Sequence, residues 1–330
     1  MNSVKRSSGE NTMPPSSHPK VGVSACLLGH QVRYDGGHKR DIFITESLSE
    51  HFELLPICPE TEVGLGIPRP TIRLMGDIEH PRLVGTADQT MDVTDTMERY
   101  SEHQVQKLDE LCGYILKKDS PSCGMERVKV FNHSGTHATR KGSGVFARIL
   151  MQRLPLLPVE EEGRLNDAVL RENFINRIFV MQRWRSMHQE GLTSARMIEF
   201  HTVHKYLVMA HSQAAYQRLG RLLSDLSNRD LSAIAQVYIE ALMPTLKRRV
   251  TRRRHVNVLQ HIMGYLKKRI ESGDKAELSE SIEAYRRGET PLVVPITLLR
   301  HYFRRHHDPY MEKQIYLRPH PDKLGLRNSI

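Results

Sequence analysis

The hydrophobic pattern of this chain changes near two prolines, Pro155 and Pro158. Before them, short apolar stretches that end in Gly- and Pro-rich turns alternate with helical patterns, which is typical of a parallel α/β sheet. After them, apolar residues recur every three to five positions, which is typical of helices. The length of 330 residues also favours more than one core. We therefore predict a disordered tail at 1–18, a Rossmann-like parallel-sheet α/β domain at 19–158 and an all-helical domain at 159–330.

The same patterns assign individual elements. The predicted strands are 20–27, 52–58 and 112–117. The predicted helices of the first half are 90–109 and 145–153, and the Gly-, Pro- and Arg-rich stretch 61–87 is predicted to be an ordered surface loop. The predicted helices of the second half are 160–188, 193–222, 228–243, 251–271, 275–287 and 295–306, followed by an extended, Pro-containing tail at 308–330.

The two halves also differ in charge. Residues 1–158 hold 19 basic and 19 acidic side chains, whereas residues 159–330 hold 29 and 19, so the net charge of +10 lies in the second half. Such asymmetry favours a polyanionic partner, although a solvated basic surface has the same composition. We predict that the helical half binds the phosphate groups of a polyanion. The candidate contacts are Arg196, Lys205, Arg248, Arg249, Arg252, Arg253 and Arg254.

No apolar run approaches the roughly 20 residues of a membrane-spanning helix. The polar first 18 residues lack the apolar core of a secretory signal. We therefore expect a cytoplasmic protein whose four cysteines stay reduced.

Three of these cysteines lie at or just beyond the carboxyl end of a predicted strand: Cys26, Cys58 and Cys123. In parallel α/β sheets, ligands bind outside that edge. The spacing alone is weak evidence, because free cysteines are most often buried as small apolar residues. The Gly- and Pro-containing turns around them favour a metal or cluster site instead. Cys112 lies inside the third predicted strand, so we interpret it as a core thiol.

Several ordered motifs of the first half resemble the thiouracil desulfurase family. They are Val-Gly-Val-Ser-Ala-Cys-Leu-Leu-Gly at 21–29, Arg-Tyr-Asp-Gly at 33–36, Cys-Pro-Glu at 58–60 and Ser-Pro-Ser-Cys-Gly at 120–124. Residues 191–330 resemble a second, all-helical family that is often fused behind the first, through segments 192–196, 200–206, 255–261 and the Pro-His-Pro motif at 319–321. The fused architecture is similar to bacterial enzymes that remove sulfur from 4-thiouridine in tRNA. This resemblance implies that the polyanion is RNA and that the basic residues of the helical half bind its backbone.

This resemblance implies a 4Fe–4S cluster held by Cys26, Cys58 and Cys123, with one iron left open. An open iron is a soft Lewis acid that suits thiocarbonyl sulfur. We therefore expect the thio sulfur to bind that iron. A water molecule then adds to the ring carbon and takes the place of the sulfur. The expected reaction is hydrolytic and needs no net electron transfer, because 4-thiouridine and water give uridine and hydrosulfide.

Three further residues are candidates for proton transfer at this site. Glu60 follows Cys58 by two residues, so its carboxylate is the expected general acid or base. Ser122 precedes Cys123 and is expected to donate to the charge that develops on the pyrimidine, or to relay its proton. Asp35 is expected to position the base or to support Glu60, although Asp-Gly is also an ordinary turn sequence.

Two other functions stay open from the sequence. One is desulfuration of free thiouracil or thiouridine, with the helical half used for oligomerisation. The other is a non-catalytic Fe–S sensor that binds nucleic acid, in which replacement of Glu60 or Ser122 matters little. The oligomeric state, monomer or homodimer, also stays open. His201, His204 and His211 recur at helical spacing without a metal-ligand motif, so we expect structural histidines.

Overall fold

The structure is a computed structural model that describes residues 18–224, 226 and 229–330. The predicted disordered tail therefore lies outside the described residues, apart from His18. The strands of the described chain are β1 (Lys20–Ser24), β2 (Glu53–Ile57), β3 (Ile72–Met75), β4 (Arg82–Gly85), β5 (Gly113–Leu116), β6 (Val128–Phe131), β7 (Ala138–Gly142) and β8 (Val159–Glu161). Its α-helices are α1 (Pro59–Glu62), α2 (Thr94–Val105), α3 (Val145–Arg153), α4 (Ala168–Gln189), α5 (Ser194–His211), α6 (Gln213–Leu222), α7 (Leu231–Lys247), α8 (Arg252–Met263), α9 (Ser272–Arg287), α10 (Val293–Arg305) and α11 (Pro309–Glu312).

The first sheet contains the strands that the sequence predicts. Its order is β2–β1–β5–β8, and all of its pairs are parallel. Val21 and Val23 are fully buried in β1, as expected for a strand that is covered on both faces. The strands all end at one edge of the sheet. The cysteine-bearing loops follow β1, β2 and β5 at that edge, and the α/β fold of the first half is confirmed.

The last strand of this sheet begins where we predicted the helical half to start. β8 pairs with β5, and the amide of Tyr114 donates to the carbonyl of Pro158 at 2.8 Å. The α/β sheet therefore extends to residue 161, three residues beyond the predicted boundary at 158. The prolines mark the approach to an edge strand, which tolerates a residue without an amide hydrogen.

A second sheet occupies part of the stretch that we predicted to be a surface loop. Its order is β4–β3–β6–β7, in which two antiparallel hairpins are joined by the parallel pair β3 and β6. The loop prediction for 61–87 is wrong for its second part, which contains β3 and β4. These strands have four residues each, so they show no alternating pattern, and their pairing with a distant segment stabilises them.

α4 connects the two halves. Ile178 of α4 packs so closely on β5 that a Cβ at Gly113 would lie 2.7 Å from its Cγ1 atom. On the helical side, Trp184 of α4 stacks on Tyr238 of α7 at 5.8 Å between ring centroids. These residues belong to one buried cluster that also contains Val21 of β1. α4 therefore lies between the sheet and the helical half, and it begins at the edge where the strands end.

The helices of the second half follow the predicted order, although α4 begins at residue 168 rather than 160 and α8 ends at residue 263 rather than 271. The predicted helix 193–222 is interrupted at Ser212, which adopts an extended backbone and caps α6 by accepting from the amide of Ala215 at 3.2 Å. The tail 308–330 is not extended but forms α11 and three short 3-10 turns. Asp308 caps α11 through the amides of Tyr310 and Met311. In the described chain, every helix is too short or too polar to cross a membrane.

Candidate active site

The three strand-end cysteines meet at one cavity of about 360 Å³. Cys26 follows β1, Cys58 follows β2 directly, and Cys123 lies in the loop after β5. The adjacency of β2, β1 and β5 brings these loops together. Polar residues that line the same cavity are Ser24, Arg33, Tyr34, Lys39, Glu60, Arg69, Thr71, Lys117, Lys118, Asp119 and Ser120.

The turn that carries Cys123 is stabilised by hydrogen bonds within its own motif. The Ser120 hydroxyl accepts from the amides of Ser122 at 3.2 Å and Cys123 at 3.0 Å. Gly144, which precedes α3, packs directly on this turn, and a Cβ there would lie 2.5 Å from the Ser122 carbonyl. Only glycine fits such an approach. The Ser-Pro-Ser-Cys-Gly motif therefore forms a rigid cradle that buries the Cys123 thiol.

The other two cysteines are also placed by backbone contacts. Cys26 lies in a single 3-10 turn that ends at Gly29, whose φ of 93° is in the left-handed region. The Cys26 carbonyl accepts from the amide of Lys39 at 2.9 Å. The Cys58 thiol donates to the carbonyl of Val32 at 3.8 Å. The long loop after β1 therefore forms a hydrogen bond with each of these two cysteines.

The electrostatics of the cavity disfavour bare thiolates. Burial, followed by the nearby Cys58, raises the pKa of Cys26 to about 11, and the positive charges of Lys117 and Arg33 lower it only in part. Burial and Glu60 raise the pKa of Cys123 well above its usual value. Three thiolates at this position require a bound cation to offset their charge.

Glu60 lies in the cavity and is held by an arginine that the sequence did not single out. The Arg69 guanidinium donates to Glu60 Oε2 through Nε at 3.1 Å and Nη2 at 2.6 Å. The Arg69 side chain is 3% exposed and that of Glu60 is 15% exposed. Arg69 also donates to the carbonyls of Val32 at 2.9 Å and Gly66 at 3.1 Å. One buried side chain therefore joins the loops of Cys26 and Cys58 to the candidate acid or base.

The second oxygen of Glu60 faces a residue that sequence reasoning also missed. The Ser120 hydroxyl lies 3.4 Å from Glu60 Oε1. Because both hydrogen bonds from Arg69 go to Oε2, Oε1 is the oxygen that can accept a proton. Ser120 was detectable as the first serine of the Ser-Pro-Ser-Cys-Gly motif. Arg69 had no comparable signal, because its partners come from distant loops.

Ser122 and Asp35 lie outside the set of residues that line the cavity. Ser122 is fully buried, and its hydroxyl has no hydrogen-bond partner in the described part of the chain. Asp35 is exposed, and its carboxylate accepts from the Gly37 amide at 3.0 Å and pairs with Arg33 at 3.4 Å. These contacts lower its pKa. Glu60 therefore lines the cavity together with the cysteines. Asp35 does not line it and is connected to it only by its ion pair with Arg33, which does.

The candidate RNA-binding residues fall into two groups. Side chains of four make contacts within the protein. Arg196 donates to the carbonyls of Glu190 and Gly191, Lys205 lies 4.7 Å from the ring centroids of Tyr206 and Tyr310, Arg252 donates to Tyr285 O, and Arg254 donates to His211 O. Arg248, Arg249 and Arg253 are exposed. Arg249 pairs with Asp167 at 3.6 Å, whereas the side chains of Arg248 and Arg253 form no hydrogen bond or ion pair within residues 18–224, 226 and 229–330.

The histidines of the helical half make internal contacts. His204 lies 2.7 Å from the carbonyl of Phe200, and His211 lies 2.7 Å from that of Arg248. Burial lowers the pKa of His204 to about 3 and that of His211 to about 4. His201 lies 3.1 Å from the Tyr238 hydroxyl.

The donor set at the cavity suits a metal cluster better than a single ion. Nowhere in the described residues do three His, Cys, Asp or Glu side chains lie close enough to hold one metal ion. A multi-iron cluster needs its cysteines farther apart, because each thiolate binds a different iron. Three free thiols from three loops, one of them buried and two half-buried, line this one cavity and fit that requirement.

Comparisons with known proteins agree with this organisation. Residues 21–162 match the family model of 2-thiouracil desulfurase, and residues 205–321 match that of a protein family of unknown function, DUF1722. The chain is 31% identical over 154 residues to the uncharacterized protein YbgA of Escherichia coli K12, which covers 46% of this chain and 91% of YbgA. It is 34% identical over 155 residues to the uncharacterized protein YbbK of Bacillus subtilis 168, which covers 44% of this chain and 98% of YbbK.

A solved structure, the [4Fe-4S]-dependent thiouracil desulfidase TudS, is 28% identical and has a TM-score of 0.37, covering 45% of this chain and 94% of that one. The family matches and the two relatives, taken with the strand-end cysteines, show that the chain belongs to the 2-thiouracil desulfurase family and that its desulfurase domain is followed by a DUF1722 domain.

Proposed function

We propose that this protein hydrolytically removes sulfur from 4-thiouridine in tRNA, releasing uridine and hydrosulfide. The family match supports a desulfurase of thiouracil-type bases. The observation that carries the proposal is the convergence of three cysteines and the Glu60–Arg69 pair in one cavity. That arrangement offers a metal-binding thiol set and a fixed carboxylate in a single cavity that can also admit a small ring.

The proposal includes a 4Fe–4S cluster held by Cys26, Cys58 and Cys123. When bound, a cluster with one iron free of protein ligands supplies a soft Lewis acid that favours thiocarbonyl sulfur. The protein supplies the counter-charges around it. Lys117 and Arg33 line the cavity and favour the thiolate form of Cys26. The Cys123 turn, rigid between Ser120 and Gly144, holds one ligand position without rearrangement.

Other residues of the cavity are proposed to transfer protons and to bind the base. Glu60 keeps Oε2 on Arg69 and uses Oε1 to accept a proton from the attacking water. Ser120, 3.4 Å from Oε1, relays that proton or orients the water. Tyr34 is 42% exposed at the cavity, and the Arg33 guanidinium lies 5.1 Å from its ring centroid. We propose that Tyr34 stacks on the base, because aromatic rings bind unstacked bases in this way.

The position of the basic segment 247–254 supports an RNA substrate. The Asn173 amide of α4 donates to the carbonyl of Leu246 at 2.7 Å, so the segment begins beside the first turns of α4. Arg249 pairs with Asp167, which caps the start of α4. Because α4 starts at the edge where the strands of the first sheet end, the basic segment borders the cavity side of the molecule. RNA bound there can present a flipped base to the cavity.

The test uses the chain reconstituted anaerobically with iron and sulfide. Bulk tRNA that contains 4-thiouridine is added, and the loss of near-UV thiobase absorbance is followed together with hydrosulfide release. We expect turnover. We also expect Arg248→Glu with Arg253→Glu to raise KM for tRNA about tenfold or more through lost phosphate contacts. Arg305→Glu, an exposed arginine of α10, is the control and leaves KM unchanged.

Two outcomes contradict the proposal. Turnover on free 2-thiouracil with none on tRNA supports a small-molecule desulfurase, and the basic segment then has another partner. Failure on both substrates, with cluster absorbance present, supports the non-catalytic sensor.

A further inference from the structure

A second cavity, of about 310 Å³, lies in the helical half between α10 and the C-terminal segment. Arg300, Arg304 and Arg327 line it, together with His320 and Asp322. It therefore presents three guanidinium groups and one carboxylate. His320 is the centre of the Pro-His-Pro motif, which has no part in the proposed desulfuration.

Arg327 contributes a buried donor without a partner. Its side chain is 6% exposed, and its Nε donates to Glu172 Oε1 at 3.1 Å. Nη1 donates to the carbonyl of Tyr316 at 2.6 Å. Nη2 has no hydrogen-bond partner within residues 18–224, 226 and 229–330. A buried charged donor left unpaired is unfavourable, so this atom indicates a missing acceptor.

His320 contributes a buried acceptor without a partner. The residue is 8% exposed, and its Nδ1 lies 3.1 Å from the carbonyl of Pro321. A carbonyl oxygen only accepts, so Nδ1 carries the hydrogen and Nε2 carries the lone pair. Nε2 also has no partner in the described chain. The cavity therefore lacks both an acceptor for Arg327 and a donor for His320.

The charges at the cavity favour an anion. Arg300 is satisfied by Asp322 through two hydrogen bonds of 2.9 and 2.6 Å. Arg304 is exposed, and its side chain forms no ion pair or hydrogen bond with the described residues. Burial and the charge of Arg300 lower the pKa of the neighbouring Arg318, as expected in a positive environment. A water molecule would satisfy the two buried atoms but would leave Arg304 without a counter-charge.

We propose that this cavity binds a phosphate group. Its anionic oxygens accept from Arg304 and from Nη2 of Arg327, and a hydroxyl on or beside the phosphate donates to Nε2 of His320. Monohydrogen phosphate carries such a hydroxyl itself. In RNA, the ribose 2′-hydroxyl lies beside the phosphodiester and supplies it. Sulfate has the same shape and charge but no hydroxyl at neutral pH.

The experiment is calorimetric titration of inorganic phosphate into the full chain, without any assay of desulfuration. We expect saturable binding that is weaker for sulfate. We expect Arg304→Ala to weaken phosphate binding about tenfold, because a charge-assisted contact is lost. Arg305→Ala is the matched control, since Arg305 is the next exposed arginine of α10 and does not line the cavity. Absence of saturable binding, or equal effects of the two substitutions, overturns the proposal.

A competition arm identifies the source of the phosphate. If inorganic phosphate displaces tRNA, and Arg304→Ala weakens tRNA binding by the same factor, the site takes the RNA backbone. If phosphate binds without changing the affinity for tRNA, the site takes a small phosphate ligand. Because these are binding measurements, they stand apart from the outcome of the desulfuration assay.

Discussion

Two buried arginine–glutamate pairs, one in each half of the molecule, show how similar chemistry serves different ends. Arg69 binds Glu60 through one oxygen only, which leaves Oε1 in the cavity. Arg327 binds Glu172 inside the helical half, where both side chains are less than 9% exposed. The pair in the α/β half positions a carboxylate oxygen at the cavity, between the loops. The pair in the helical half neutralises a carboxylate that would otherwise be buried alone.

The surroundings of the two pairs explain the difference. The first lies outside the ends of parallel strands, where loops converge on a space that a ligand can enter. The second lies between α4 and the C-terminal segment, where His255, His320 and Arg327 all contribute to the lowered pKa of Glu172. Burial opposes that lowering. Each pair leaves one atom at a cavity, Oε1 of Glu60 in the first and Nη2 of Arg327 in the second, but only the first presents a carboxylate oxygen there.

The largest expected effect is on the structural pair. Arg327→Met leaves the Glu172 carboxylate buried without a cation, and we expect the free energy of unfolding to fall by about 3–5 kcal/mol. Replacing both residues by methionine removes the unpaired charge and recovers most of the loss. Urea unfolding followed by circular dichroism measures both variants. A single variant as stable as the wild type contradicts a structural role.

The pair at the cavity is expected to affect turnover. Glu60→Gln keeps the shape and an acceptor for Arg69 but removes the carboxylate, so we expect kcat per cluster to fall about 100-fold. The control is Glu62→Gln, in the same short helix but outside the cavity lining. Anaerobic turnover is measured together with cluster absorbance. Full activity of Glu60→Gln refutes its role as acid or base.

Two glycines test the rigidity of the Cys123 turn. Gly144→Ala places a Cβ 2.5 Å from the Ser122 carbonyl, so we expect a loss of about 1–3 kcal/mol in stability and a lower iron content after reconstitution. Gly264→Ala is the control, because no atom lies within 4 Å of the added Cβ and its φ of −54° suits alanine. Iron analysis and thermal unfolding distinguish the two. Equal iron content in both variants shows that the rigidity of the Cys123 turn is not needed for cluster binding.

The last prediction concerns the pH dependence of stability, which the buried histidines of the helical half determine. Burial lowers the pKa of His255 to about 3 and that of His211 to about 4. The unfolded chain binds these protons near pH 6.5, so the free energy of unfolding falls as the pH drops from about 6.5 toward 4, by about 1.4 kcal/mol per pH unit for each histidine.

Urea unfolding between pH 4.5 and 7 measures that slope. We expect His211→Gln to reduce it and His307→Gln, at an exposed position, to leave it unchanged. A flat profile for the wild type contradicts the burial of neutral histidines.

Topology explains which part of the site was predictable. Cys26, Cys58 and Cys123 each follow a strand, and parallel strands end at one edge, so local patterns were sufficient to expect them together. Glu60 follows Cys58 by two residues, so it was expected at the same edge of the sheet. Their roles as ligands and as acid or base stay predictions that the proposed experiments test.

Long-range contacts explain what was missed. Arg69 is drawn to the site by Glu60 and Val32, and nothing in its neighbouring residues indicates those partners. β3 and β4 are stabilised by pairing with each other and, through β3, with β6, which lies more than 50 residues later. Four-residue strands carry too little periodicity to be recognised.

The sequence by itself determined the two-part organisation, the edge of the sheet where the cysteines lie and the positive charge of the helical half, because periodicity, turn residues and net charge are local properties. Only the tertiary structure decided that Arg69 holds Glu60, that Ser122 is buried outside the cavity lining and that the arginines around His320 form a second cavity. Those outcomes depend on residues far apart in the chain, whose contacts exist only after the elements have packed.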